Sequence, residues 1–281
     1  MNFGGIPGEY SQLEEAQIVV LPVPYDKTST WMKGADKGPD ALLEASVNLE
    51  WYDIDTGFEV YKKGIYTAES LEVDVSPPEM VSLVEKEVAQ YIRNNKFVVT
   101  LGGEHSVSIG AAKAHSQYFD EVTVIQLDAH ADLRDQYLDS PYNHACVMAR
   151  IKEFAQVLQV GIRSMDISEK DKLVPGRFVY AKEVIENPKW EENILSRLTK
   201  NVYITLDMDV FDPSLVPSTG TPEPGGLFYY DVLAFLRKVS QQSNIVGFDV
   251  TELCPHKENK SPDFLAAKLI YQLLSYRFKE E

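Results

Sequence analysis

The chain has 281 residues, with 27 lysines and arginines against 43 aspartates and glutamates, a formal net charge of −16. That balance argues against a nucleic-acid or anionic-membrane partner, because neutralising phosphates needs a basic face, and it suits a cationic ligand. A 44% share of hydrophobic residues argues against disorder. No apolar run reaches the roughly 18 residues of a membrane span, and the start MNFGGIPGEY lacks the basic and apolar stretches of a secretion signal. Two cysteines, Cys146 and Cys254, make neither a disulfide scaffold nor a four-cysteine zinc site, so the expectation is a cytoplasmic protein with reduced thiols.

In chain order, the pattern predicts a strand over 18–22, a helix over 78–94, a strand over 97–101, a helix over 106–118 and a strand over 122–127. There follow a helix over 144–155, strands over 157–160 and 202–206, a helix over 230–241, a strand over 245–248 and a helix over 262–278. The strands are rich in Val and Ile and most lack polar alternation, as strands buried on both faces of a parallel sheet do. The helical segments carry apolar residues at helical spacing and are long enough for crossovers. The expected fold is a three-layer α/β/α sandwich with a mainly parallel sheet. No repeat or linker interrupts it, so one domain is expected over 1–281.

Polar residues cluster immediately after the apolar runs. Gly102-Gly103-Glu104-His105-Ser106, Asp128-Ala129-His130-Ala131-Asp132, Asp207-Met208-Asp209 and Asp249-Val250-Thr251-Glu252 each follow one. Ligands of open parallel sheets bind beyond the carboxyl ends of the strands, so these segments are expected to meet in one crevice. At spacing i, i+2, i+4 an extended chain turns Asp128, His130 and Asp132 to one side. With His105, Asp207 and Asp209 this makes four carboxylates and two imidazoles. Four bare carboxylates cannot stay ionised together, so either some are protonated or cations lie among them. Oxygen-rich donors with a few imidazoles and no thiolate favour Mn²⁺ or a similar divalent ion. Six ligands suffice for two metals if two aspartates bridge, and a pair about 3.5–4 Å apart turns water into hydroxide at neutral pH.

Each residue also has a plainer reading. His105 or Ser106 could cap the following helix, and Glu104 either orients a ligand or is a solvated acid. Gly102 and Gly103 are read as a tight turn. The Pro- and Gly-rich stretch 213–226 is a pocket wall or a structural turn. His144 is a helix-start residue or a proton shuttle. His115 and His256 are read as structural or solvated, and Cys146 as a packed side chain rather than a nucleophile. No phosphate-binding glycine loop occurs. A two-metal phosphoesterase would need downstream GDxxD and GNH runs, which are absent. A non-catalytic protein with this fold would not need every candidate ligand.

LGGEHS at 101–106, DAHAD at 128–132 and LDMDVFDPSLVPSTGTPEPGG at 206–226 resemble the ureohydrolase family of arginases and agmatinases. So do 20–42, GIRS at 161–164 and FDVTELCP at 248–255, which extends the resemblance over nearly the whole chain. The resemblance implies an eight-stranded sheet, a homo-oligomer (trimer or hexamer) and two Mn²⁺ per chain. His105, Asp128, Asp132 and Asp207 would hold one ion and Asp128, His130, Asp207 and Asp209 the other. Glu252 would pair with the substrate guanidinium, and His144, in YNHACVMAR, would shuttle protons. Asp132 would deliver a proton to the leaving amine.

The expected reaction is agmatine plus water giving putrescine and urea. The serine–glycine–asparagine run with which arginases recognise an amino-acid head is absent from LRDQYLDSPYNH. Two residues cut the other way. Asp166 lies where arginases place an amine-binding acid, and Arg134 could attract a carboxylate. Guanidinobutyrate, arginine, aminopropylagmatine and formimino compounds are therefore the alternatives. Asp36-Lys37, where relatives carry arginine and an aromatic residue, is expected to affect packing or subunit contacts.

Overall fold

All six apolar runs become strands in the structure, a computed structural model that describes residues 1–279; the end of the 1–281 span lies outside the described residues. The strands are β1 (Ile18–Val23), β2 (Ile65–Thr67), β3 (Phe97–Gly102), β4 (Val122–Leu127), β5 (Gln156–Ile162), β6 (Phe178–Tyr180), β7 (Asn201–Asp207) and β8 (Asn244–Thr251). They form one sheet in the order β2-β1-β3-β8-β7-β4-β5-β6, and every pairing is parallel. The sequence pattern did not reveal β2 and β6. Both are three residues long and sit at the edges, where pairing on one side alone demands no long apolar run.

The helices are α1 (Gly38–Ser46), α2 (Pro77–Arg93), α3 (Val107–Tyr118), α4 (Val147–Ile151), α5 (Ala181–Glu186), α6 (Trp190–Leu195), α7 (Tyr229–Gln242) and α8 (Ser261–Phe278). Two prolines open α2, and the Ser76 N–H donates to Glu79 at 3.0 Å, a start signal written in the sequence. The helix expected over 144–155 is corrected. A 3-10 turn at His144–Cys146 leads into five-residue α4, and the bonds then tighten to i−3 at Glu153 and Phe154 as the chain bends into β5.

Alternation along each strand divides the core. Ile18, Val20, Val99, Ile204 and Phe248 pack with Leu42, Phe235 and Tyr271 from α1, α7 and α8. Val19, Leu21, Val98, Val124, Tyr203 and Val246 pack with Val84, Val88 and Ala111 from α2 and α3. Both faces of the sheet are covered, which is what near-continuous apolar strands require. No described helix is long and apolar enough to cross a membrane. The four central strands, β3, β8, β7 and β4, are the ones followed by the polar clusters. The chain leaves β4 toward β5 and leaves neighbouring β7 toward β8 on the other side. The switch point of the sheet therefore lies between Asp128 and Asp207.

Candidate functional site

Strand register brings the acids to one level. Leu127 pairs with Leu206, so Asp128 follows beside Asp207, and Asp207 pairs with Thr251, one residue before Glu252. Leu101 pairs with Val250, which carries the 102–105 segment to the same rim. His105 Nδ1 lies 3.1 Å from Asp128 Oδ2, 2.9 Å from Asp132 Oδ2 and 3.5 Å from Asp207 Oδ2. His130 Nδ1 lies 2.8 Å from Asp209 Oδ2 and 3.6 Å from Asp128 Oδ1. Asp128 thus presents one oxygen to each imidazole. Two donor triads result, His105–Asp128–Asp132 and Asp128–His130–Asp209, each with ligand atoms within 4.8 Å of one another. All six expected ligands form one contact cluster, and all but the half-buried His130 are buried.

A network that sequence reasoning missed orients His105. Its Nε2 lies 2.8 Å from Thr205 Oγ1, and the Thr205 hydroxyl donates to Asp249 at 2.8 Å. Ser108 and Tyr203 donate to the same carboxylate at 2.8 and 2.5 Å. With its own proton committed to Asp249, Thr205 accepts from Nε2–H, which turns Nδ1 toward the carboxylate cluster, where its lone pair becomes available once its proton is displaced by a cation. Gln126 donates to Asp128 at 2.6 Å and is itself held by Gln159. The Arg163 guanidinium donates to the carbonyls of Asp209, Phe211 and Glu223, pinning the segments that carry and flank Asp209. Asp249 stood in a polar cluster and Arg163 in GIRS, but for Thr205, Gln126 and Gln159 the one sequence signal was a polar side chain inside an apolar run. Asp132 and Glu252 adopt positive φ, 52° and 62°, a strained conformation that clusters at functional sites.

The donor set fits a pair of divalent cations. Burial and the neighbouring Asp209, Asp128 and Glu252 charges push the Asp207 carboxyl well up, and burial with Asp128 pushes Asp132 to about 7. Burial disfavours charge on His105 and His130, yet the adjacent aspartates outweigh it and raise both. Without cations the cluster balances itself with protons, which two dications would displace. The raised Asp132 pKa stabilises the metal-free fold fully below the ordinary carboxylate value, and that stability is lost as pH climbs through about 7. Chelator-treated protein is therefore expected to melt at a lower temperature at about pH 8 than at about pH 6. Added Mn²⁺ should raise Tm more at the higher pH, where fewer protons must leave. A pH-independent response to Mn²⁺ would contradict the clustering.

Several plainer readings are settled by contacts. Glu104 is fully buried rather than solvated and accepts from the Ser106 N–H and Oγ at 3.0 and 2.8 Å. The Ser106 hydroxyl is thereby used on Glu104, and no side chain caps α3. Gly103 is needed for close approach rather than for a positive-φ turn, since a Cβ there would lie 2.1 Å from the Tyr25 carbonyl oxygen. His115 is buried in α3 against Tyr203 and bonds the Ala111 carbonyl. His256 is exposed, and burial pushes the Cys146 thiol to about 11. Gly220 and Thr221 make the 213–226 loop part of the crevice wall, whereas Asp36 and Lys37 do not line it.

The crevice is an open cavity of about 280 Å³. Its wall includes His105, His130, Asp132, Asp207 and Asp209 together with His144 and Glu252, while the fully buried Asp128 lies behind it. One Glu252 oxygen accepts the His105 N–H at 2.8 Å. The His144 N–H donates to Thr28 Oγ1 at 2.9 Å, and ring and carboxylate atoms of Glu104, His144 and Glu252 approach within 4.8 Å. His144 Nδ1 has no hydrogen-bond partner among the described residues. Burial, then the nearby His130, pulls its pKa to about 4.

Arg134 and Asp166 line the same cavity on its more exposed side, and they face each other. Arg134 lies 3.6 Å from Asp166 and 3.9 Å from the buried Glu169, over the Tyr137 ring at 4.6 Å. One cation is thus shared between two carboxylates at the rim.

The model of the arginase family matches residues 16–275. An N(1)-aminopropylagmatine ureohydrolase from Synechocystis is 40% identical, with 93% of this chain and 89% of that protein covered. An agmatinase from Pyrococcus horikoshii is 32% identical, with 93% and 92% covered. The crystal structure of the agmatine ureohydrolase of Thermoplasma volcanium superposes with a TM-score of 0.89 at 32% identity, covering 99% of this chain and 95% of that one.

Proposed function

Because the chain belongs to the arginase family, and so is a ureohydrolase acting on guanidino compounds, we propose that its substrate is an alkylguanidine with an amine tail. N1-aminopropylagmatine comes first and agmatine second. The observation that supports hydrolysis is the single crevice lined by five metal-type donors and the buried Glu252, with Asp128 directly behind them touching both imidazoles. In this reading His105, Asp128, Asp132 and Asp207 would hold one Mn²⁺, and Asp128, His130, Asp207 and Asp209 would hold the other. The metal pair supplies water activation at neutral pH. Glu252 receives the guanidinium, its orientation set by the His105 N–H. A guanidinium stays protonated, so Glu252 must hold the resonance-stabilised carbon in reach of the nucleophile. Asp132 hands a proton to the departing amine, and His144 exchanges protons with solvent along the crevice wall.

The tail preference rests on Arg134. Its guanidinium is already shared by Asp166 and Glu169, so the rim carries one cation against two carboxylates. A carboxylated tail, as in guanidinobutyrate or arginine, meets net negative charge there. The order within the amine-tailed class follows the relatives, since the more similar one is named for N1-aminopropylagmatine. Agmatine, first on sequence grounds alone, thus moves to second place. A urea-release panel on manganese-loaded protein tests this. N1-aminopropylagmatine should show the highest kcat/KM, with guanidinobutyrate and arginine at least about tenfold lower. A faster agmatine reaction reverses the order, and a faster guanidinobutyrate reaction overturns the amine-tailed class. Arg134→Ser should raise kcat/KM for amine tails and lower it for guanidinobutyrate, each by about fivefold for roughly 1 kcal/mol of charge interaction. The same resemblance leads us to propose a cytoplasmic trimer or hexamer, with light scattering as the check on assembly.

A further inference from the structure

Behind the 128–132 segment, outside the catalytic crevice, lies a second cavity of about 90 Å³ lined by Lys152, Lys172, Arg177 and Gln159. Three cations around one small space run against the composition of a chain with a net charge of −16. Among the described residues, Lys172 alone of the three has an acidic partner, the exposed Asp135 at 2.7 Å. Lys152 donates to the Lys172 carbonyl at 2.6 Å, and among the described residues neither Lys152 nor Arg177 has an ion-pair partner. Burial, with Lys172 and Arg177 next, pulls the Lys152 ammonium below its usual range, as expected where like charges crowd without a counter-ion.

We propose that this cavity binds a small oxyanion, a sulfate- or phosphate-like group, held by Arg177 and Lys152 with Lys172 beside it. An arginine fork and two ammonium groups match the tetrahedral oxygens of such an anion, which relieves their mutual repulsion. The cavity is wired to the catalytic loop. Lys172 Nζ also donates to the Leu133 carbonyl at 2.9 Å, and the buried Gln159 donates to the Ala131 carbonyl at 2.8 Å. These carbonyls flank Asp132, one of the candidate metal ligands. Drawing Lys172 toward a bound anion therefore loads the backbone on the C-terminal side of Asp132, and occupancy is felt in the crevice.

Sulfate, titrated by calorimetry into manganese-loaded protein, tests the site. One saturable equivalent per chain is expected. Arg177→Gln and Lys152→Gln, both remote from the crevice lining, should each weaken it by about tenfold or more with basal urea release unchanged. Saturating sulfate should change the urea-release rate of the wild type by about twofold and leave that of Arg177→Gln unaffected. No saturable binding, or equal binding by the wild type and both variants, means an adventitious ion only and overturns the site. Sulfate binding with an unchanged rate overturns the coupling. The calorimetric readout does not depend on which guanidino compound is the substrate, so the failure of either assignment is visible without the other.

Discussion

Asp207→Asn is expected to lose manganese and urea release together, with activity falling by about 10³-fold or more, roughly 4 kcal/mol of transition-state stabilisation. Asp207 ends β7, where Oδ1 accepts the Asp209 N–H at 2.8 Å and Oδ2 faces His105 Nδ1 at 3.5 Å. An asparagine keeps the first contact through its amide oxygen but puts a neutral N–H₂ donor where a carboxylate oxygen would hold the cations. The substitution separates the site from the fold. Burial and neighbouring charge hold the Asp207 carboxyl well above the ordinary range in the metal-free cluster, and a protonated acid and an amide are close in shape and charge. Metal-free Asp207→Asn should therefore melt within a few degrees of the metal-free wild type, while the rise in Tm on adding Mn²⁺ is lost. Elemental analysis, calorimetry and a urea assay together decide it. Two bound Mn²⁺ with normal turnover would remove Asp207 from the centre.

The convergence of the six candidate positions was legible because each follows an apolar run, and a parallel sheet delivers the ends of its strands to one edge. Asp128, Asp207 and Glu252 needed no more than strand register to meet. Thr205 and Asp249 were not legible as a pair. Nothing in IVGFDV or VYITLD says that two polar side chains within apolar strands face each other across a sheet and take the back of His105. Arg134 and Asp166 were each visible as a candidate, but their contact depends on how the loops after β4 and β5 fold over one another, which strand periodicity does not encode. The same holds for Lys172 and Gln159, whose side chains reach back to the loop carbonyls at Leu133 and Ala131. What a sequence pattern carries here is the placement of side chains on strand ends. What it omits is the pairing of long polar side chains between loops.

Glu252→Gln is expected to lower kcat/KM by about 10²-fold while leaving two Mn²⁺ bound, the reverse pairing of effects from Asp207→Asn. Glu252 is buried at φ 62°, with one oxygen accepting the His105 N–H at 2.8 Å. A glutamine amide oxygen preserves that contact and thereby the backbone around His105. The lost interaction is the charge-assisted contact with the substrate guanidinium, for which about 1.5–3 kcal/mol corresponds to roughly 10- to 150-fold. The carboxylate is costly to ionise where it stands, since burial and the adjacent Glu104 push it well above its ordinary range. A bound guanidinium is the counter-charge that makes ionisation favourable, so substrate binding and loss of the Glu252 proton are linked. The metal-free wild type should accordingly release a proton on binding a guanidinium inhibitor, seen as a dependence of the calorimetric enthalpy on buffer ionisation heat, and metal-free Glu252→Gln should not. Activity within about twofold of the wild type, or identical proton release in the variant, would place the guanidinium elsewhere in the crevice.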